Sequence, residues 1–153
     1  MTKALGKTAI VVLGLAATLA AQGSAAPRIN KDRSNVAVRG YDVVAYFTDG
    51  KPVPGRAEFN YAWQNAVWRF DSAAHRDQFA KTPEKYAPQY GGFCAWAVSQ
   101  NYTASIDPKA WTIVDGRLFL NYSLSVQGTW SRERATNIVK ADGNWPALSQ
   151  TTK

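Results

Sequence analysis

Residues 111–120 have the sequence Trp-Thr-Ile-Val-Asp-Gly-Arg-Leu-Phe-Leu, and this stretch decides the fold class. Asp115 and Gly116 are a favoured pair for a tight two-residue turn, because both turn positions need a positive φ. Apolar and β-branched residues flank the pair on both sides, as they do in the two strands of a hairpin. The stretch therefore predicts two antiparallel strands that are joined by a turn at Asp115-Gly116.

A second hairpin is predicted upstream. Residues 59–63 and 66–70 each alternate bulky side chains with others at a period of two, and only Gln64-Asn65 separates them. A period of two places alternate side chains on one face of a strand, which is typical of a half-buried hairpin.

Short helices are predicted around the two hairpins. Asp42 can cap a helical turn over residues 43–47, and Ser72 can cap a helix that begins at residue 73, because a side-chain oxygen at this position accepts from free N–H groups. Pro83 favours the first position of a further short helix, where its missing N–H costs nothing.

The C-terminal part of the chain has the spacing of an amphipathic helix. Val126, Trp130, Ile138 and Val139 recur at near-helical intervals, and the helix is expected to end near Asp142-Gly143. The elements together predict an α+β fold: a small antiparallel sheet built from two hairpins, with short helices and a C-terminal helix packed on it.

The first 25 residues have the organisation of a secretory signal peptide. Lys3 and Lys7 give a positive start, residues 8–21 carry no charge, and small residues follow up to Ala26. A membrane-spanning helix needs about 20 apolar residues, so this shorter run favours a cleaved signal over an uncleaved anchor. Cleavage is expected after Ala25, which predicts a periplasmic protein without stable membrane insertion.

The remaining sequence is expected to form one domain. Residues 26–35 are polar and predict an N-terminal arm, residues 36–148 the domain, and residues 149–153 a C-terminal tail. The formal net charge is +7, but the basic residues are scattered, and with the export signal this argues against nucleic acid as a partner. The single cysteine cannot form an internal disulfide, so stability must come from the hydrophobic core. Six Trp, seven Tyr and six Phe supply the apolar area for such a core.

Cys94 is the candidate reactive residue. It follows Gly91 and Gly92, which allow a tight turn, and it precedes residues 95–99, which can form a helix. A thiol at a helix N-terminus is favoured as a thiolate. The expected walls of the site are its near neighbours in sequence: Tyr90, Gly91, Gly92, Phe93 and Trp96. The alternative is that Cys94 is a small buried hydrophobic residue, as most free cysteines are.

His75 is the only histidine and lies four residues after Asp71, so the two share a helix face if the helix begins early enough. Together with Cys94 they could form a three-ligand metal site that leaves one position open. The alternative is that both residues belong to a solvated helix face.

Four stretches in sequence order carry a resemblance to a known family: Gly40–Phe47, Trp68–Ser72, Pro83–Ala95 and Val114–Tyr122. The chain resembles the exported YHS-domain proteins over about residues 36–146. Some members have selenocysteine at the position of Cys94, which implies a nucleophilic or metal-binding role there. The wider YHS group includes metal-handling modules that use a cysteine pair. The corresponding positions here are Asp71 and His75, so this chain lacks those ligands.

Three functions follow from these observations. The first is an exported binding module, handling copper or zinc through Cys94, since a thiolate suits Cu(I) and, less well, Zn²⁺. The second is a thiol-based redox protein that forms mixed disulfides with a partner thiol protein through Cys94. The third is a non-catalytic interaction domain with an inert thiol. The sequence leaves open whether the protein is an enzyme.

Overall fold

The computed structural model describes residues 26–151, so the predicted signal peptide lies outside the described residues. The strands are β1 (Arg56–Trp63), β2 (Ala66–Phe70), β3 (Asp107–Val114) and β4 (Arg117–Asn121). The helices are α1 (Ala45–Thr48), α2 (Ala73–Lys81), α3 (Pro83–Tyr86), α4 (Ala95–Ser99), α5 (Leu124–Arg132) and α6 (Arg134–Leu148). The predicted α+β class is confirmed. Within this range no helix is both long and apolar enough to cross a bilayer.

Both predicted hairpins are present. β1 and β2 are antiparallel and are joined by Gln64 and Asn65, whose φ angles are 48° and 56°. β3 and β4 are joined by Asp115 and Gly116, whose φ angles are 51° and 73°. Positive φ at both central positions is the geometry that a two-residue turn requires.

The hairpins form two separate two-stranded sheets in the described part of the chain, whereas the sequence suggested one small sheet. The outer edge of β2 is occupied at Val67 by residues 35–37, where the arm meets the domain. There the N–H of Ala37 donates to the carbonyl of Val67, and the N–H of Val67 donates to Asn35. The N–H and the carbonyl of Val67 on this edge are therefore not available for pairing with the second hairpin.

The predicted helix caps are confirmed. Asp42 Oδ1 accepts from the N–H groups of Val44 and Ala45, at 2.9 and 3.2 Å, and so starts α1. Ser72 Oγ accepts from the N–H of His75 at 3.2 Å at the start of α2. Each cap satisfies donors that the first turn of a helix leaves free.

The C-terminal region differs from the prediction. It consists of two helices, because the backbone leaves the helical conformation at Glu133. The second helix also continues past Gly143 and includes Pro146. The ring of Trp145 lies 6.1 Å from that of Tyr90, and we infer that this packing offsets the low helix propensity of glycine and proline.

β4 lies between two hydrophobic clusters. Leu118 and Leu120 belong to a larger cluster that contains Trp68, Phe79 and Cys94. Phe119 belongs to a second cluster with Tyr90, Trp130 and Ala141. Successive side chains of a strand point to opposite faces, so a strand buried on both faces supplies both clusters.

The N-terminal arm is bound to the body of the protein at Gly91 and Gly92. The backbone N–H and the side-chain Nδ2 of Asn30 donate to the carbonyls of Gly91 and Gly92, at 2.8 and 2.9 Å. A Cβ atom at Gly91 would lie 2.0 Å from the carbonyl oxygen of Arg28. Gly91 is therefore required because the arm passes directly over it.

Candidate functional site

Cys94 occupies the N-cap position of α4, as the sequence predicted. Its backbone N–H donates to the carbonyl of Ala104 at 3.0 Å, and its side chain is 1% exposed. The thiol lies 3.6 Å from Oδ1 of Asn121, the last residue of β4, and can donate to it. The same oxygen accepts from the N–H of Trp96 at 3.1 Å. Asn121 thus connects the end of β4 to the start of α4.

The electrostatic environment of the thiol differs from the prediction that a thiolate is favoured. Burial raises the pKa of the Cys94 thiol above that of an ordinary cysteine. Hydrogen bonding to the backbone of Ala97, Tyr122 and Trp96 acts in the opposite direction and offsets only part of the effect of burial. Burial is the largest of these influences, so the surroundings of Cys94 favour the neutral thiol over the thiolate.

An apolar cavity of about 190 Å³ adjoins the thiol. Its lining is Cys94, Trp96, Ala97, Tyr102, Ala104, Tyr122 and Val126. Tyr102 and Tyr122 are 46% and 60% exposed and stand where the cavity meets the surface. The arrangement is a small apolar site with a thiol among its lining groups and two aromatic side chains beside its opening.

Only Trp96 of the five predicted wall residues lines this cavity. Gly91 and Gly92 lie beneath the arm, and the guanidinium carbon of Arg28 lies 5.0 Å from the ring centre of Phe93. Phe93 has an extended backbone, so its side chain and that of Cys94 point to opposite sides of the chain. Tyr90 belongs to the second hydrophobic cluster and is likewise not among the lining residues.

His75 is bonded to other partners than Cys94. Its Nδ1 lies 2.7 Å from Oδ2 of Asp42, which is fully buried, and its Nε2 lies 3.3 Å from Oγ1 of Thr48. Asp71 is placed by its neighbours as well: its backbone N–H donates to Asp42 at 2.9 Å, and its carboxylate lies 3.4 Å from Nε of Arg56. Asp42 therefore joins α1, the end of β2 and α2.

The described residues do not form the set of ligands that a copper or zinc site needs. No group of three or more His, Cys, Asp or Glu side chains that could hold a metal ion occurs between residues 26 and 151. The structure does not bring Asp71, His75 and Cys94 together as a ligand set. Both ring nitrogens of His75 instead contact other groups, Nδ1 with Asp42 and Nε2 with Thr48, while Cys94 is enclosed in the larger hydrophobic cluster.

Sequence reasoning missed most of the residues around the thiol. Tyr102, Ala104 and Tyr122 lie 8 to 28 positions after Cys94 and carry no motif that connects them with it. Asn121 had one available signal, because it ends an apolar strand with a polar residue. Its Nδ2 is buried without a hydrogen-bond partner among the described residues, which is uncommon for a buried amide.

Comparison with known proteins adds no identification. No family model, curated protein or solved structure matches the chain.

Proposed function

We propose that this chain is an exported binding module whose ligand site is the apolar cavity beside Cys94. The observation that carries the proposal is the coincidence of this cavity with exposed apolar side chains. Four large hydrophobic residues of the described chain are strongly exposed, and two of them, Tyr102 and Tyr122, line the cavity. A third, Leu124, is two residues from Tyr122. Grouped exposed apolar side chains are typical of a binding surface.

The chemistry of the lining indicates the ligand class. The cavity is apolar, and its volume of about 190 Å³ is suited to one ring or one branched aliphatic group. Such a group could be carried by a small molecule or by a side chain of a partner protein. A ligand of this class gains affinity by displacing water from the cavity and by covering the tyrosine rings.

Cys94 takes part in this proposal as a neutral lining group. Its raised pKa weighs against a role as a thiolate nucleophile, since the thiolate is the reactive form. A role of Cys94 in copper or zinc handling, or in thiol redox chemistry, stays a prediction that rests on the sequence and on the resemblance to the exported YHS-domain proteins. A single measurement on the thiol separates them from the role proposed here.

We expect iodoacetamide to alkylate Cys94 slowly in the folded protein. We also expect the alkylation rate to rise with pH at a higher inflection point than in the urea-unfolded chain. The reason is that burial holds the thiol in its neutral form. Saturating benzene should slow the reaction further, because it would occupy the cavity next to the thiol, whereas Zn²⁺ should not. Mass spectrometry of the alkylated protein at a series of pH values measures these rates.

The matched variants are Tyr122→Ser, which removes an aromatic ring beside the cavity, and Val139→Ser, which removes an exposed apolar side chain elsewhere. Tyr122→Ser should weaken the protection by benzene, and Val139→Ser should leave it unchanged. If the alkylation rate of the folded protein had its pH inflection below that of the unfolded chain, the result would support the metal or redox functions instead. If benzene did not change the alkylation rate of Cys94 in the folded protein, the result would count against the cavity as the ligand site.

The export part of the proposal rests on the N-terminal sequence. The protein recovered from a periplasmic extract is expected to begin at or near Ala26, because the short apolar run ends in small residues. Intact-mass measurement tests this directly. Recovery of the chain in the membrane fraction with Met1 retained would contradict it.

A further inference from the structure

A second cavity, of about 370 Å³, lies on a different part of the molecule. We call it the arm cavity, because residues 27–29 of the N-terminal arm form one of its walls. The other walls come from the β1–β2 turn, the segment from Glu84 to Gly91 and α6. Its volume is in the range of small-molecule sites, which commonly form where several elements meet.

Aromatic rings supply much of the apolar lining of the arm cavity. Trp63, Tyr90 and Trp145 all belong to its walls. The rings of Tyr90 and Trp145 lie 6.1 Å apart with 63° between their planes, so they meet as a corner and do not stack. Trp145, in this corner, and Trp63, in another wall, are both half-buried, so each indole can offer a ring face to a cation.

Two carboxylates line the same cavity. Glu84 is exposed and has no ion pair or side-chain hydrogen bond among residues 26–151. Asp142 is already bonded, since its Oδ1 accepts from Tyr90 at 2.8 Å and from Arg117 at 2.6 Å. Burial opposes ionisation of Asp142, but the hydrogen bonds from Arg117 and Tyr90 hold the pKa of its carboxyl below the usual value. Glu84 is the carboxylate that remains available to a ligand.

The one cationic residue in the lining is directed to other partners. The guanidinium of Arg28 lies over the ring of Phe93 at 5.0 Å, and its NH1 donates to the carbonyl of Leu148 at 3.4 Å. Neither Phe93 nor Leu148 lines the arm cavity. The lining groups that remain available to a ligand are therefore the aromatic rings and the carboxylate of Glu84.

We propose that the arm cavity binds a small organic cation, with an alkylammonium group against Trp63 and Trp145 and its charge balanced by Glu84. Electron-rich ring faces and a carboxylate favour a cation over a neutral group of the same shape. The site is separate from the cavity at Cys94, so the two proposals stand or fall independently.

The test uses choline and 3,3-dimethylbutan-1-ol, which have the same shape but differ in charge. Titration calorimetry is combined with the indole N–H signals in ¹⁵N NMR spectra. Choline is expected to bind about tenfold more tightly than the alcohol and to shift the signals of Trp63 and Trp145. Glu84→Gln is expected to weaken choline binding about fivefold and to leave the binding of the alcohol unchanged.

Asp115→Asn is the control variant, because it removes a carboxylate from the exposed turn between β3 and β4 and keeps a residue that suits that turn. It should bind choline like the parent protein. Equal affinity for choline and the alcohol would overturn the proposal. So would undiminished choline binding in Glu84→Gln, or shifts confined to other tryptophans.

Discussion

Replacing Asp42 by alanine is expected to destabilise the protein by about 3–5 kcal/mol, the cost typical of breaking a buried polar pair. Asp42 is fully buried and accepts from the N–H groups of Val44, Ala45 and Asp71. It also holds Nδ1 of His75 at 2.7 Å. Alanine would leave these groups buried or poorly solvated without a partner, and each lost partner carries a desolvation cost.

The matched control is Asp71→Asn. Asp71 is the neighbouring carboxylate, but its side chain is about half exposed and contacts Arg56 at 3.4 Å on the surface. Exposed pairs contribute roughly 0–1 kcal/mol, so this variant should change the free energy of unfolding little. Urea unfolding followed by circular dichroism measures both variants. A cost for Asp42→Ala no larger than that for Asp71→Asn would show that Asp42 does not hold the three elements together.

Replacing Phe79 by alanine is expected to cost about 3–5 kcal/mol, as large-to-small changes of buried aromatic residues do. Phe79 is fully buried in the larger hydrophobic cluster. Its ring centre lies 5.1 to 6.2 Å from those of four other aromatic residues: Tyr61, Trp63, Trp68 and Phe70. Because four large rings surround the position, they cannot all close the space that the lost ring leaves.

Val139→Ala serves as the control for Phe79→Ala, since Val139 is 72% exposed and a surface truncation changes stability by about 0.5 kcal/mol or less. The same urea series measures both variants. If Phe79→Ala lowered the free energy of unfolding by less than about 1 kcal/mol, the cluster would be able to repack around the site. That result would contradict the expectation that the cluster is densely packed. Neither result would bear on the proposal that the cavity at Cys94 binds a ligand.

The parts of the fold that were predicted correctly depend on short stretches of sequence. Asp115-Gly116 needs only its own two φ angles to define a hairpin, and Ser72 needs only the N–H group three residues later. The C-terminal helix was predicted to stop at Gly143 by the same local reasoning. It continues because Trp145 packs on Tyr90, 55 positions away, and no local signal reports that contact.

The candidate site was predicted less well, because its geometry depends on contacts between distant segments. The position of Cys94 at the start of α4 followed from its neighbours in sequence. The cavity beside it is completed by Tyr102, Tyr122 and Val126, which come from a loop, the bend after β4 and α5. The pairing of His75 with Asp42 likewise joins residues 33 positions apart and redirects the histidine away from Cys94.

Gly91 and Gly92 show how a correct prediction from sequence can give only part of the physical cause. The glycines were expected to let the backbone turn sharply before Cys94, and both do have a positive φ. Gly91 has a further requirement, because a side chain there would collide with Arg28 of the arm. Sequence alone could not assign this role, since the arm lies some 60 positions earlier.

The docking of the arm also brings the two ends of the described chain side by side. The N–H of Arg28 donates to the carbonyl of Ser149 at 3.1 Å. A short peptide linker could therefore join these ends without redirecting either segment, and the polypeptide could be opened instead at an exposed turn such as Asp115-Gly116. Domains in which two segments so far apart in sequence lie side by side near their boundaries are suited to circular permutation and to insertion into a loop of a host protein.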